Sequence, residues 1–176
     1  SRTKNDFIGL NYYFRNKMHL GLDSRFPPAW TLSKRSRAGR GNDRKKILVS
    51  DIRTDKDWEI YPEGLYRILL NLKRFKKPIY ILENGIADAK DTKRANFIID
   101  HLRAVHQAMK KGAEVKGYFY WSLLDNYEWP VLPQEKTGYE MKFGLIEVDF
   151  AGDLKRKIRN SARVYAKFCK ENALIV

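Results

Sequence analysis

Glu83 is the residue of this chain best placed to do chemistry. It follows a short apolar run, IYIL at 79–82, and precedes Asn84-Gly85. A run of that length, bounded by Pro78 and Asn-Gly, reads as a buried strand of a parallel sheet. In α/β folds, groups at the C-terminal ends of strands build the active site. A carboxylate there can act as nucleophile, base or metal ligand, and it can equally be a strand-end cap or salt-bridge partner. A second concentration of useful groups is WSLLDNYEW at 121–129, with two Trp, one Asp, one Asn and one Glu within nine residues. Flat rings beside hydrogen-bonding carboxylates and amides suit a carbohydrate. The plainer reading is an aromatic corner with Asp125 as its buried polar anchor. The third group is Asn11-Tyr12-Tyr13. A Tyr hydroxyl donating to a carboxylate holds it ionised. Adjacent strand residues point to opposite faces, so one Tyr faces the site and the other the core.

Other reactive constellations are missing from the sequence. His19, His101 and His106 make no metal-like cluster, and His101 and His106 are expected as solvated helix residues. There is no glycine-rich phosphate loop and no Ser/His/Asp arrangement.

The elements that must carry these groups alternate. Residues 6–14, DFIGLNYYF, are β-rich and aromatic and read as a buried strand. The stretch 15–46, with Pro27-Pro28, Gly39 and Gly41, is expected to be a long loop. Tyr61-Pro62-Glu63-Gly64 opens a helix that Pro78 stops, since Pro suits the first turn and Glu63 the positive end of the dipole. After the Glu83 strand, Asp91 or Thr92 is expected to cap a helix with Ile98, Leu102, Val105 and Met109 inward, ending at Gly112. Strands at 115–121 and 143–150 and a helix at 159–172 follow, the last with Val164, Tyr165, Phe168 and Cys169 inward. This order predicts a parallel α/β architecture. Three parallel strands leave two raw edges and poorly covered faces, so they read as part of a larger sheet or barrel.

At 176 residues one domain is the default. The aromatic share, 13%, suits both a large core and a sugar site. The formal charge of +14 raises a polyanion partner. The excess is spread along the chain, however, and its densest stretch, 33–46, reads as a solvated basic loop. The single cysteine, Cys169, excludes an intrachain disulfide and fits a reducing compartment. No run is long and apolar enough for a membrane-spanning helix, and a cytoplasmic location is expected.

The blocks DFIGLNYY, WEIYPEGLYRIL, PIYILENGIAD, GYFYWSLLDNYEW and KFGLIEVDF, in this order, resemble glycoside hydrolase family 1. The resemblance implies a partial (β/α)₈ TIM barrel, approximately strands six to eight with their helices, and residues 1–176 as the C-terminal part of one catalytic domain. It implies a retaining β-glycosidase acting on β-glucosides or β-galactosides. Glu83 would be the nucleophile and Tyr13 its hydrogen-bond donor. Asn11 would be a neighbour in the same polar network. Trp121, Glu128, Trp129 and Phe143 would bind the glycone. The family's phosphoglycosidases lack the equivalent of Glu128, so an unphosphorylated sugar is expected. No metal or organic cofactor is implied.

This chain also departs from the pattern. The family's Asn-Glu-Pro acid/base motif is absent, as are its early Gln, Arg and His sugar ligands. Leu82 stands where Thr is common, and PVLPQEKT after Trp129 is longer than usual. The C-terminus looks natural and the N-terminus cut. The expected partner is therefore the missing N-terminal barrel part, either nicked from the same polypeptide or a second chain. The isolated chain is expected to be inactive. The alternative is a non-catalytic carbohydrate- or polyanion-binding partial barrel. A nucleic-acid role for the basic loop would require strongly salt-dependent binding.

Overall fold

The computed structural model describes residues 5–15, 18–21, 29–32, 52–130 and 136–174. Its centre is a three-stranded parallel sheet of β1 (Ile8–Asn11), β4 (Ile79–Asn84) and β5 (Val115–Tyr120), with β4 in the middle. Between β1 and β4 come a two-stranded antiparallel hairpin, β2 (Met18–Gly21) with β3 (Ala29–Leu32), and helix α1 (Pro62–Leu72). Helix α2 (Arg94–Lys110) joins β4 to β5. A second small antiparallel pair, β6 (Ile146–Val148) with β7 (Arg156–Ile158), leads into α3 (Asn160–Glu171).

Local chemistry accounts for most of these boundaries. Pro62 opens α1, with Glu63 in the first turn. The helix ends at Leu72, not at Pro78. A 3₁₀ turn, Lys73–Phe75, and a left-handed Lys76 close it first. Neither Asp91 nor Thr92 caps α2. Asp88, further upstream, accepts the Lys93 and Arg94 amides at 2.7 and 3.0 Å. Gly112 follows the end of α2 with positive φ, as a terminating glycine does. The stretch 15–46 is not loop throughout, because MHLG and AWTL pair in register as the β2–β3 hairpin. Trp30 and Thr31 carry the strand preference there. The basic residues 33–46 and residues 131–135, most of PVLPQEKT, lie outside the described residues. Of the expected strand at 143–150, only Ile146–Val148 is extended, and its partner β7 carried no alternation in the sequence.

The sheet has two unlike faces. One packs Ile79, Ile81 and Val115 against Leu65 and Leu69 of α1 and Val105 and Ala108 of α2, with Tyr12 in the same cluster. Leu65 and Leu69 are fully buried, and each burial contributes about 2 kcal/mol. The other face is open, with Leu82 44% and Phe119 54% exposed. The Glu83 strand is therefore covered on one side only, against the expectation of full burial.

Three helix residues also depart from expectation. Met109 is exposed, and the inward face of α2 runs instead through Arg94, Phe97, Ile98, His101, Ala104, Val105 and Ala108. His101 is fully buried rather than solvated, with Nδ1 at 2.8 Å from the Phe97 carbonyl. Cys169 is exposed, and Phe168 takes the buried place in α3.

Candidate active site

The tips of the three parallel strands meet at a cavity of about 180 Å³ lined by Tyr13, Phe14, Trp58, Glu83, Trp121, Glu128, Trp129 and Phe143. Glu83 is the penultimate residue of β4 and lies within the strand rather than after it. Its backbone is pinned on both sides. The Tyr12 amide donates to the Glu83 carbonyl at 2.9 Å, and the Trp121 amide to the Asn84 carbonyl at 3.0 Å. Asn84 is buried and ties the three strand ends together. Its amide donates to the Tyr12 carbonyl (2.6 Å), and its side-chain oxygen accepts from the Tyr118 hydroxyl (2.7 Å).

Gly85 lies directly against the segment after β5. A Cβ at this position would collide with the Trp121 carbonyl oxygen, so the reason for glycine here is space.

The two tyrosines divide as their alternation requires. Tyr12 is buried and donates to the Tyr61 carbonyl at 2.5 Å. Tyr13 turns to the cavity and donates to Glu83 Oε2 at 2.7 Å. Burial, then the bond to Glu83 and the charge of Glu83, push the Tyr13 phenol far above its ordinary range. It is therefore a permanent donor to the carboxylate.

Aromatic rings frame these groups. Trp58 stacks on Phe14 at 4.4 Å between centroids, and Phe143 meets Tyr13 edge-on at 6.3 Å. Trp129 is exposed at the rim, while Phe143 is buried beneath. Glu128 is held by a pair of backbone hydrogen bonds with Gly138. Asn11 is the ladder partner of Glu83, but its side chain is exposed and forms no part of the cavity wall. Asp125 is turned away from the cavity, in a buried bidentate pair with Arg159.

One contributor had no signal in the sequence. Lys56 is buried, with Nζ 2.6 Å from Glu128 Oε1 and 4.5 Å from the centre of the Trp58 ring. Only the folded chain brings a residue of the 54–58 turn to one 72 positions later. Trp58 was also passed over, although an apolar ring just before a helix start could have flagged it. Among the described residues, no group of three His, Cys, Asp or Glu is placed to hold a metal ion, and no helix is long and apolar enough to cross a membrane.

This site sits in a chain whose sequence and fold are similar to those of known enzymes. The chain is 35% identical to the β-galactosidase of Sulfolobus acidocaldarius over 178 residues, 98% of this chain and 33% of that protein. It is 36% identical to the β-galactosidase of Saccharolobus solfataricus over 180 residues, 96% of this chain and 32% of that protein. Among solved structures, the β-glycosidase from Pyrococcus horikoshii superposes with a TM-score of 0.75 at 36% identity, covering 97% of this chain and 36% of that one. The β-glucosidase from Thermotoga maritima in complex with castanospermine gives 0.77 at 30% identity, covering 99% and 37%. The chain thus spans about a third of the length of these relatives, and its fold is part of their TIM barrel. The glycosyl hydrolase family 1 model matches residues 2–174, nearly the whole sequence, and the chain belongs to that family.

Proposed function

We propose that this chain supplies the nucleophile and most glycone contacts of a retaining β-glycosidase, and that strands β1, β4 and β5 are the sixth to eighth strands of its barrel. The Tyr13–Glu83 hydrogen bond, opening on a cavity that Glu128 and three tryptophans share, carries the reading. Glu83 attacks the anomeric carbon and forms a glycosyl ester as the aglycone oxygen leaves. Water then cleaves the ester. Tyr13 donates to the nucleophile in the resting state and orients it. Trp121, Trp129 and Phe143 offer flat and edge contacts to the apolar faces of a pyranose. Glu128 accepts from sugar hydroxyls, and its negative charge disfavours a phosphorylated glycone. Asn11 acts from outside the cavity, through the ladder that sets the height of Glu83.

The second carboxyl group, which protonates the leaving oxygen and then activates water, stands about 5–5.5 Å from the nucleophile in retaining enzymes. The Asn-Glu-Pro motif that would carry it is not in this chain, so the remainder of the barrel is the required partner. Two observations support this. The cavity is smaller than the roughly 300–1,000 Å³ of most ligand sites. The open face of the sheet, with Leu82 and Phe119, also calls for cover of the kind parallel sheets normally have. A cytoplasmic site of action and cofactor-free chemistry complete the proposal.

The test is covalent trapping in the assembled protein. A 2-deoxy-2-fluoro-β-glucoside with a good leaving group forms the ester faster than water removes it. Peptide mapping is expected to find the sugar mass on Glu83 and no label in Glu83→Gln. A label on another carboxylate, or none on an active protein, overturns the assignment.

A further inference from the structure

Lys56 stands behind the cavity wall without lining the cavity. Its side chain has no exposed surface, and its Nζ donates to Glu128 Oε1 at 2.6 Å and to the Trp129 carbonyl at 3.4 Å. It also lies against the face of Trp58. One ammonium thus touches three residues of the wall. A buried ion pair is a poor source of stability, because desolvating both charges offsets most of their attraction. Fold stability alone therefore gives little reason for this one.

The turn that carries Lys56 is tightly specified. The Thr54 amide donates to the Trp58 carbonyl at 3.0 Å, and the Trp58 amide to Thr54 Oγ1 at 3.1 Å. Asp57 adopts positive φ to close the turn. The Asp55 amide donates to the Ala87 carbonyl at 2.9 Å, which anchors the turn to the segment that continues from Glu83. The position of Lys56, and through it that of Glu128, is therefore referred to the strand tip bearing Glu83.

We propose that Lys56 is a positioning residue for glycone recognition, holding Glu128 as an oriented acceptor for one hydroxyl of a neutral sugar. The inference rests on the reading of Glu128 as a glycone contact. Oε1 is committed to Lys56, and among the described residues Oε2 has no donor, so one oxygen is left for a ligand. Among the described residues, the charged and titratable groups facing Glu128 are Lys56 behind it and Glu83 and Tyr13 in the same cavity. Without Lys56, no described cation would hold the Glu128 carboxylate in place beside Glu83, and like charges would push it out of position. A rotated Glu128 would lose its aim at a hydroxyl donor. An anionic substituent on the sugar would meet the carboxylate before the buried ammonium, so the device selects neutral glycones.

The experiment uses the assembled protein and compares 4-nitrophenyl β-glucoside with its monodeoxy analogues. Wild type is expected to prefer the parent over one analogue by about 10–100-fold in kcat/KM, the range for a hydrogen bond to a charged group. In Lys56→Met and Lys56→Gln that ratio is expected to fall to near one, with Lys56→Arg recovering most of it. Glu83 trapping should remain intact in all three variants. If Glu128→Gln keeps the wild-type ratio, the glycone role of Glu128 is wrong. If Glu128→Gln loses the ratio while Lys56→Met and Lys56→Gln keep it, the role of Lys56 is overturned. If both neutral variants fail to fold and Lys56→Arg folds, Lys56 is structural and the proposal also falls.

Discussion

Asp125 and Glu128 lie three residues apart and are buried almost equally, at 4% and 6% exposure, yet they do opposite things. Asp125 spends its whole acceptor capacity inside the protein. Arg159 grips both its oxygens at 3.0 and 2.9 Å, and the Gly144 and Val148 amides add bonds at 2.8 and 3.2 Å. It joins the segment after β5 to β6 and to the start of α3. Among the described residues the Glu128 carboxylate accepts from Lys56 alone, at Oε1, and the residue lines a cavity. Burial does not separate a structural carboxylate from a candidate ligand group. Acceptor capacity left over, and what it faces, does.

The largest effect that would test this contrast is at Asp125. Asp125→Asn leaves the buried Arg159 without a counter-charge and should cost about 3–5 kcal/mol in denaturant unfolding. In the assembled protein, the molecules that remain folded are expected to keep the wild-type turnover. A loss below about 1 kcal/mol would mean that Asp125 is no more structural than Glu128. His101 sharpens the comparison from within the core, because its Nε2 is buried with no hydrogen-bond partner among the described residues. Burial lowers His101 to about 4 from its ordinary 6.5. As pH falls through that window the unfolded chain takes up a proton that the folded chain refuses, so stability is present above it and declines within it. The decline should reach about 3 kcal/mol. Unfolding midpoints measured between pH 7 and 4 should show this slope in wild type and lose it in His101→Gln. The smallest effect is at Tyr13. Tyr13→Phe removes the donor held to Glu83 and is expected to lower kcat about 10–100-fold while leaving the unfolding midpoint nearly unchanged. An unchanged kcat would place Glu83 outside the chemistry.

The sequence made the sheet legible because parallel strands announce themselves as short apolar runs between turn residues. The two tyrosines could be divided by alternation alone, and Glu83 could be placed by its strand. What stayed hidden depended on pairing across distance. Arg94 is buried because it donates to the carbonyls of Asp88 and Lys142 at 2.6 and 2.8 Å and pairs with Asp91, and no helical pattern predicts a guanidinium on an inward face. Met109 loses its place to Ala108 for the same reason. The face of α2 was drawn through apolar side chains, and its true axis passes through two polar ones. The β2–β3 hairpin was masked by the prolines and glycines around it, and Lys56 by the 72 residues that separate it from Glu128.

Gly85 fixes a clearance. With no side chain, it lets the backbone that continues from the Glu83 strand run directly against the Trp121 carbonyl. It works as a shim of zero thickness between the strand that carries the Glu83 carboxylate and the residue that carries the Trp121 ring, both of which line the cavity. Any added atom would push the two apart, and because β4 and β5 are laced together below this point, the displacement would open as a wedge at the tips. The tolerance of the site is therefore set at a residue that does not itself line the cavity. An engineer wishing to widen the gap for a bulkier sugar would have to lengthen both strands together rather than enlarge any one lining residue.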